Sequence, residues 1–508
     1  MTGAHLFPPA ADILQRPGRS RTDPGRDWMK KKTRVRIWAA VFWLAVWEIA
    51  SRLIGQKLFL VSPAAAAARL AELSLQSEFW LSVAHSCVRI AGGYLLAVLS
   101  GVLFAALSAG FIRVRELFAP LMLTIKAVPV ASFIILALVF LPSGKLAVLI
   151  SYLIVLPVVY ANTLEGIESL DSSMKEMAGI FCIPFLRRLR FLYFPQVYPY
   201  LTAACSTAVG LAWKSGVAAE VIGMPKGSVG EKLQQAKVYL DTPDLFAWTV
   251  VIVIVSALSA RLFQALLKGA AVLVMKPGRN HFVRMDGPAE TGREAGGQDD
   301  IILEGISKAY GQKQVFSKYG CSFKKGGMTA VMGPSGTGKT TLFRLLAGLE
   351  KPDEGTITGM EGMRISAVFQ EDRLCMFLSA EENIWLVQRS RRKKAVTANA
   401  NTRKGGFEKG GREKDDDAAV FEMIGLPASD MPVQDYSGGM RRRASLLRAL
   451  LADWDICFLD EPFKGLDENT KRRAMDLTKQ MAKGKTVILI THDIKEAEYM
   501  GCADIVSV

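Results

Sequence analysis

The segment Gly333-Pro334-Ser335-Gly336-Thr337-Gly338-Lys339-Thr340 has the spacing G-x-x-x-x-G-K-[ST], followed by Thr341. Glycines at these intervals let successive backbone N–H groups turn inward around a phosphate. Lys339 then reaches the β- and γ-phosphates, and the Thr340 hydroxyl can ligate Mg2+. A second segment, Asp455-Ile-Cys-Phe-Leu-Asp-Glu-Pro462, ends an apolar run in two carboxylates. Phosphoryl transfer asks a protein for positioning and charge stabilisation more than for covalent help. In that chemistry Asp460 would hold Mg2+, directly or through water, and Glu461 would polarise the attacking water.

These groups need elements to hold them. MTAVM at 328–332 reads as a strand entering the loop, and TLFRLLAGL at 341–349 as a helix leaving it. The 455–462 run reads as a buried parallel strand, and α/β sheets bind ligands at the C-terminal ends of such strands. Residues 276–300 (KPGRNHFVRMDGPAETGREAGGQDD) are polar and Gly-rich, hence a linker, and a new domain starts at Ile301.

Tyr436-Ser-Gly-Gly-Met-Arg-Arg-Arg443, followed by a helical ASLLRALLAD, precedes the Asp-Glu strand. It resembles the signature segment of ABC-transporter ATPases. Tyr310, Gln370 in VFQEDRL, Gly465-Leu-Asp467 and His492 in ILITHD match further elements of that family in order. The resemblance implies an α/β P-loop NTPase domain of ABC type with a helical subdomain, using ATP and Mg2+. It also implies that Tyr310 stacks on adenine and that Gln370 touches Mg2+ and reports nucleotide state to the membrane part. His492 would contact the γ-phosphate beside the water that Glu461 activates. The catalytic set is then Glu461, His492 and Lys339, and the metal set is Thr340, Gln370 and Asp460. Ser437, Gly438 and Gly439 would act in trans on the opposite subunit's phosphates, with Asp467 in the D-loop. One such domain per chain implies a homodimer.

The chain has 508 residues, 50% hydrophobic and 22% charged, with mean hydropathy +0.22. Such an average mixes a very apolar part with an ordinary soluble one. The apolar residues fall in runs near 38–54, 90–111, 117–141, 146–163, 198–223 and 246–268, which predict about six transmembrane helices. A soluble bundle is the competing reading, but six such runs exceed what one soluble core would bury. Lys126 and Lys214 lie inside runs, where a lysine costs about 2.5–3.5 kcal/mol. The Gly-containing stretch around Lys214 and Glu220 reads as a broken helix lining a cavity, with snorkelling as the equal alternative.

The net charge of +15 and pI near 9.4 suit anionic partners. Arg16, Arg19, Arg21, Arg26, Lys30, Lys31, Lys32 and Arg34 precede the first run, and Lys175, Arg187, Arg188 and Arg190 lie in the 164–197 loop. Both segments are expected in the cytoplasm, with both termini and the ATPase domain there. The predicted location is the cytoplasmic membrane of a bacterium. The alanines at 64–68 imitate a signal-peptide cleavage site, but Trp43, Trp47 and Glu48 make the first run unlike a signal sequence. Seven cysteines without a C-x-x-C pair suggest neither a disulfide framework nor a zinc site.

Residues 175–195 read KEMAGIFCIPFLRRLRFLYFP. They resemble the coupling loop of importer permeases, with Glu176, Ala178 and Pro195 in place, Met177 for the first alanine and Cys182 for the expected glycine. The sequence from Pro199 onward is similar to permeases of the nitrate/sulfonate/taurine-type import family. The resemblance implies an amphipathic helix around 173–181 seated near Gln370, and an extracytoplasmic solute-binding protein as partner. Residues 389–417 depart from the family as a charged, Gly-rich insertion expected to be a disordered surface loop. The end at Val508 is expected to mark a short ATPase domain lacking a C-terminal regulatory extension.

The resulting organisation is a basic tail at 1–35, a permease domain at 36–275, a linker at 276–300 and an ATPase domain at 301–508. The expected function is ATP-driven import of a small solute. An exporter half-transporter is the first alternative, opposed by the short 111–116 loop. A membrane-tethered, non-transporting ATPase is the second, opposed by the presence of Glu461 and His492. Nucleic-acid binding is not expected, because the basic segments flank membrane spans and suit lipid head groups.

Overall fold

The computed structural model describes residues 37–55, 59–275, 300–334, 336–388, 420–427 and 430–508. The basic tail, the linker at 276–299, Ser335 and the insertion at 389–417 lie outside the described residues. The chain divides into two compact units, one within Met1–Leu96, Ala127–Val155 and Val209–Ser259, the other within Ala97–Lys126, Leu156–Ala208 and Ala260–Val508.

The first helices are α1 (Ile37–Ile54), α2 (Pro63–Ser74), α3 (Ser77–Gly110), α4 (Ile112–Ala127), α5 (Val130–Phe140) and α6 (Ser143–Glu168). They are followed by α7 (Ser172–Ile180), α8 (Phe194–Gly223), α9 (Val229–Val238) and α10 (Thr242–Met275). Among the described residues three helices, α3, α6 and α10, are long and apolar enough to cross a membrane. Their exposed positions include Leu99, Val253 and Leu262, as expected of surface that meets lipid tails rather than water.

The third predicted span, 117–141, is corrected: it is two helices, α4 and α5, bent by 104°. The cause is local, since Pro129 lacks an N–H and disfavours helical backbone at Val128. Counting the bent pair as one, four spans are found by length and composition among the described residues, where six are expected. The first and fifth runs form α1 and α8. Helix α1 carries a Glu48–Arg52 ion pair, and α8 carries Ser206, Thr207, Lys214, Ser215 and Glu220.

The broken helix expected around Lys214 is also corrected, because α8 is continuous from Phe194 to Gly223. Gly216 serves close packing instead: a Cβ there would stand 2.6 Å from Ile90 Cγ1 and 2.7 Å from Ser151 Oγ. Lys214 is exposed and Glu220 fully buried. The Glu220 carboxylate accepts hydrogen bonds from Ser86 Oγ at 2.6 Å and Gly230 N at 3.3 Å, with Arg89 Nη1 at 3.9 Å. This tie demands the glycine, for a Cβ at Gly230 would lie 2.3 Å from Glu220 Cβ. Gly230→Ala is expected to destabilise this unit by about 1–3 kcal/mol through overpacking, read as a lower unfolding temperature of the detergent-solubilised chain.

In the second unit, β1 (Ile301–Tyr310), β2 (Lys313–Phe323) and β4 (Glu354–Thr358) make an antiparallel sheet in the order β2-β1-β4. A parallel sheet in the order β5-β6-β7-β3-β8 comprises β3 (Met328–Met332), β5 (Ile365–Val368), β6 (Ile456–Asp460), β7 (Thr486–Ile490) and β8 (Asp504–Ser507). Every position of β6 and β7 is buried, which explains their unbroken apolar runs. Around the sheet lie α11 (Lys339–Leu346), α12 (Ala380–Val387), α13 (Gly438–Leu450), α14 (Glu468–Met481) and α15 (Ile494–Met500).

The same apolar core takes in Met177, Ala178 and Ile180 of α7 together with Leu342, Phe369 and Leu378. Asp171 caps α7, accepting from Ser173 N at 2.8 Å. Just past its end Cys182, at the position of the expected glycine, has φ +48°. Left-handed backbone costs a residue with a Cβ about 1–2 kcal/mol, part of which glycine's greater freedom when unfolded cancels. Cys182→Gly is therefore expected to stabilise the chain by about 0.5–1 kcal/mol, measured as a raised unfolding temperature.

Candidate nucleotide site

The Gly333–Thr340 sequence runs from the end of β3 into the first turn of α11. Gly338 caps α11 at φ +116°, and a Cβ there would meet Val315 Cγ1 at 2.7 Å, so only glycine fits. Lys339 is buried to 8% exposure, and its Nζ donates to the carbonyls of Gly333 and Pro334, both at 2.7 Å. Thr337 Oγ1 donates to Pro334 O at 3.0 Å. Thr340 is exposed in the first turn of α11, beside Thr341.

Asp460 ends β6 and Glu461 follows with φ +46°. Burial and the charge of Glu461 push the Asp460 carboxyl up to about 6 against the pull of Arg442, Lys339 and Lys464. Burial also opposes ionisation of Glu461, but Lys464, donating to Glu461 Oε2 at 2.6 Å, outweighs it with help from His492 and Arg442. The Glu461 carboxyl is thus held below its ordinary range, and at neutral pH it is a carboxylate able to accept a proton. Its other oxygen lies 3.0 Å from His492 Nε2. The structure therefore joins Glu461 and His492, two residues 31 positions apart that sequence spacing alone could only suggest.

Arg442, which motif reading passed over, clasps this region from α13. Its Nη1 donates to Phe369 O at 2.5 Å, Gln370 O at 3.3 Å and Asp372 Oδ1 at 3.3 Å. Its Nη2 donates to Asp460 O at 2.6 Å and Glu461 O at 2.5 Å. One guanidinium thus fixes the Gln370 segment against the carboxylate pair. Arg448, six residues further along α13, donates to Arg373 O at 2.5 Å and Asp372 O at 3.3 Å, and burial lowers it to about 10.

Tyr310 ends β1, 45% exposed, and its hydroxyl donates to Glu350. Ser437 caps α13, accepting from Met440 N at 3.3 Å, and Gly439 packs beside Leu466 and Gly465. None of the described hydrogen bonds joins Ser437, Gly438 or Gly439 to the phosphate loop of the same chain. Asp467 caps α14, accepting from Thr470 N at 3.0 Å.

Within this unit the 175–195 segment is held by ion pairs. Glu176 accepts from Arg344 Nη2 at 2.6 Å and from Arg373 Nη1 at 2.9 Å. Ala178 is fully buried. Arg187 Nη1 donates to the carbonyls of Trp385 at 3.1 Å and Gln388 at 2.6 Å, satisfying the C-terminal end of α12. Pro195 enters α8 just after a π-helical turn, Arg188–Tyr193, which accommodates its missing N–H.

Two family models match the chain. One, described as ABC transporter, matches residues 316–464. The other, described as binding-protein-dependent transport system inner membrane component, matches residues 97–270. The chain is similar to the taurine import ATP-binding protein TauB of Pseudomonas aeruginosa, 35% identical over 216 residues, 39% of this chain and 75% of that one. It is also similar to the aliphatic sulfonates import ATP-binding protein SsuB 1 of Pseudomonas savastanoi, 32% identical over 196 residues, 38% of this chain and 74% of that one. A third similarity is to the Nod factor export ATP-binding protein I of Ralstonia nicotianae, 32% identical over 209 residues, 39% of this chain and 61% of that one.

Proposed function

Because the chain belongs to the ABC transporter family, with ATP hydrolysis coupled to transport, we propose that it imports a small anionic or zwitterionic solute of the sulfonate or taurine kind. The observation that carries this reading is the pairing, on one chain, of an ABC ATPase with a permease segment of the binding-protein-dependent kind. The ATPase similarities include both import and export proteins, so direction rests on the permease half. Two chains form the transporter, a separate extracytoplasmic protein delivers the solute, and the ATPase domains and both termini face the cytoplasm. The six expected spans belong to this proposal, with α1 and α8 completing the apolar set.

In this reading Lys339 exchanges its loop carbonyls for phosphate oxygens, and Tyr310 stacks on the base. Glu461 accepts the proton of the attacking water, while His492, its Nε2 3.0 Å from the Glu461 carboxylate, contacts the γ-phosphate. Thr340, Gln370 and Asp460 offer hydroxyl, amide and carboxylate oxygens, the donors Mg2+ takes, and the desolvated Asp460 carboxyl suits a cation. Bound there, Mg2+ would neutralise charge developing between the β- and γ-phosphates. Ser437, Gly438 and Gly439, free of their own chain's phosphate loop, close the site of the partner. Closure moves α7 through its arginine clamp, and with it the membrane helices.

The test is hydrolysis by the full chain in proteoliposomes. A cognate binding protein loaded with solute should raise the rate several-fold. Full hydrolysis without any binding protein, unchanged on adding one, would remove the importer reading.

A further inference from the structure

An unbroken series of charge-assisted hydrogen bonds runs from Tyr310 to α7. The Tyr310 hydroxyl donates to Glu350 Oε2, and Glu350 Oε1 accepts from Arg344 Nε at 2.5 Å. The far edge of the same guanidinium donates to Glu176, Nη2 to Oε1 at 2.6 Å and Nη1 to Oε2 at 3.3 Å. Glu176 Oε2 also accepts from Arg373 Nη1 at 2.9 Å. We propose that Glu350 and Arg344 are positioning residues that link seating of the nucleotide base on Tyr310 to docking of α7 through Glu176. The proposal rests on the reading of Tyr310 as the base platform.

The physical basis is geometric. Arg344 is a rigid fork holding one carboxylate on each edge, so a turn that improves one pair strains the other. The three side chains are only 20–28% exposed, so water and salt screen them incompletely. Tyr310, by contrast, is exposed enough for a base to settle its ring. Burial opposes ionisation of both carboxylates, but Arg344 and Arg373 at Glu176, and Tyr310 and Arg344 at Glu350, hold both below their ordinary range. The series therefore stays charged near neutral pH. Linkage is reciprocal: the factor by which a bound base favours docking of α7 is the factor by which docked α7 favours the base, so loss of the docked state costs the base that factor.

The test uses the full chain in lipid nanodiscs carrying Glu461→Gln, with Mg-ATP and Mg-tripolyphosphate as probes. Glu350→Gln and Glu176→Gln should each weaken ATP binding about fivefold or more, the lower end of measured couplings. Tripolyphosphate, which has no base, should change by less than about twofold. In a Tyr310→Phe background, which keeps the ring and removes the hydroxyl, Glu176→Gln should have no further effect on ATP. Equal losses for both probes, or an undiminished effect of Glu176→Gln in the Tyr310→Phe background, would overturn the proposal. Glu176→Gln keeps the test in force should Glu350→Gln not fold. A parent chain that binds tripolyphosphate as tightly as ATP would instead overturn the reading of Tyr310 itself.

Discussion

Glu461→Gln is expected to lower steady-state ATP hydrolysis by about 10²- to 10⁴-fold, the contribution typical of a general base, while ATP remains bound. The carboxylate stands at the end of β6 with one oxygen on Lys464 and the other on His492. An amide of the same shape keeps the backbone carbonyl that Arg442 grips at 2.5 Å, so the fold survives. What disappears is the negative charge that the neighbouring cations hold in place and that would take a proton from water. Turnover by phosphate release and affinity by equilibrium binding separate the two effects. A wild-type rate would show that another group activates the water.

Arg442→Ala carries the largest expected loss of stability. The side chain is buried, and its five hydrogen bonds end on four backbone carbonyls and one carboxylate. Removing it leaves those acceptors in a site that water reaches poorly, a loss of about 3–5 kcal/mol. For a domain of this size that is on the order of 10 °C in the unfolding transition of the ATPase half, followed by calorimetry of the full chain. Hydrolysis should fall as well, because the Gln370 segment and the carboxylate pair lose their common anchor. Arg442→Lys should recover only part of the loss, since one ammonium cannot reach Phe369 O and Asp460 O together. An unchanged transition in Arg442→Ala would contradict this account of the clasp.

The phosphate loop and the carboxylate strand were legible because their signals are local. A glycine spacing, a lysine and an all-apolar strand each declare themselves within a few residues. Arg442, Arg448, Arg344 and Glu350 were not legible, because their partners lie on other elements, up to 168 residues away in the sequence. A charged residue on a helix looks solvated until the chain that folds over it is known. The two misreadings in the membrane part have different causes. The Val-Pro step at 128–129 carries the signal for the break between α4 and α5, but the apolar run continues across it and masks the signal. Around Lys214 the glycines suggested a break, whereas Gly216 admits Ile90 and Ser151 against an intact helix. Cys182 shows the reverse case: a resemblance marked the position for glycine, and φ +48° supplies the reason.

The claim on which the rest depends is inward transport driven by ATP. Proteoliposomes can be loaded in the lumen with labelled taurine, an alkanesulfonate or nitrate together with the proposed binding protein, and given Mg-ATP outside only. Nucleotide then reaches only those transporters whose ATPase domains face outward, for which the lumen corresponds to the extracytoplasmic side. Import driven by ATP gives ATP-dependent loss of one of these labels from the lumen, abolished by Glu461→Gln. ATP-dependent accumulation in the lumen of label supplied outside, with no efflux in the first arrangement, would contradict it.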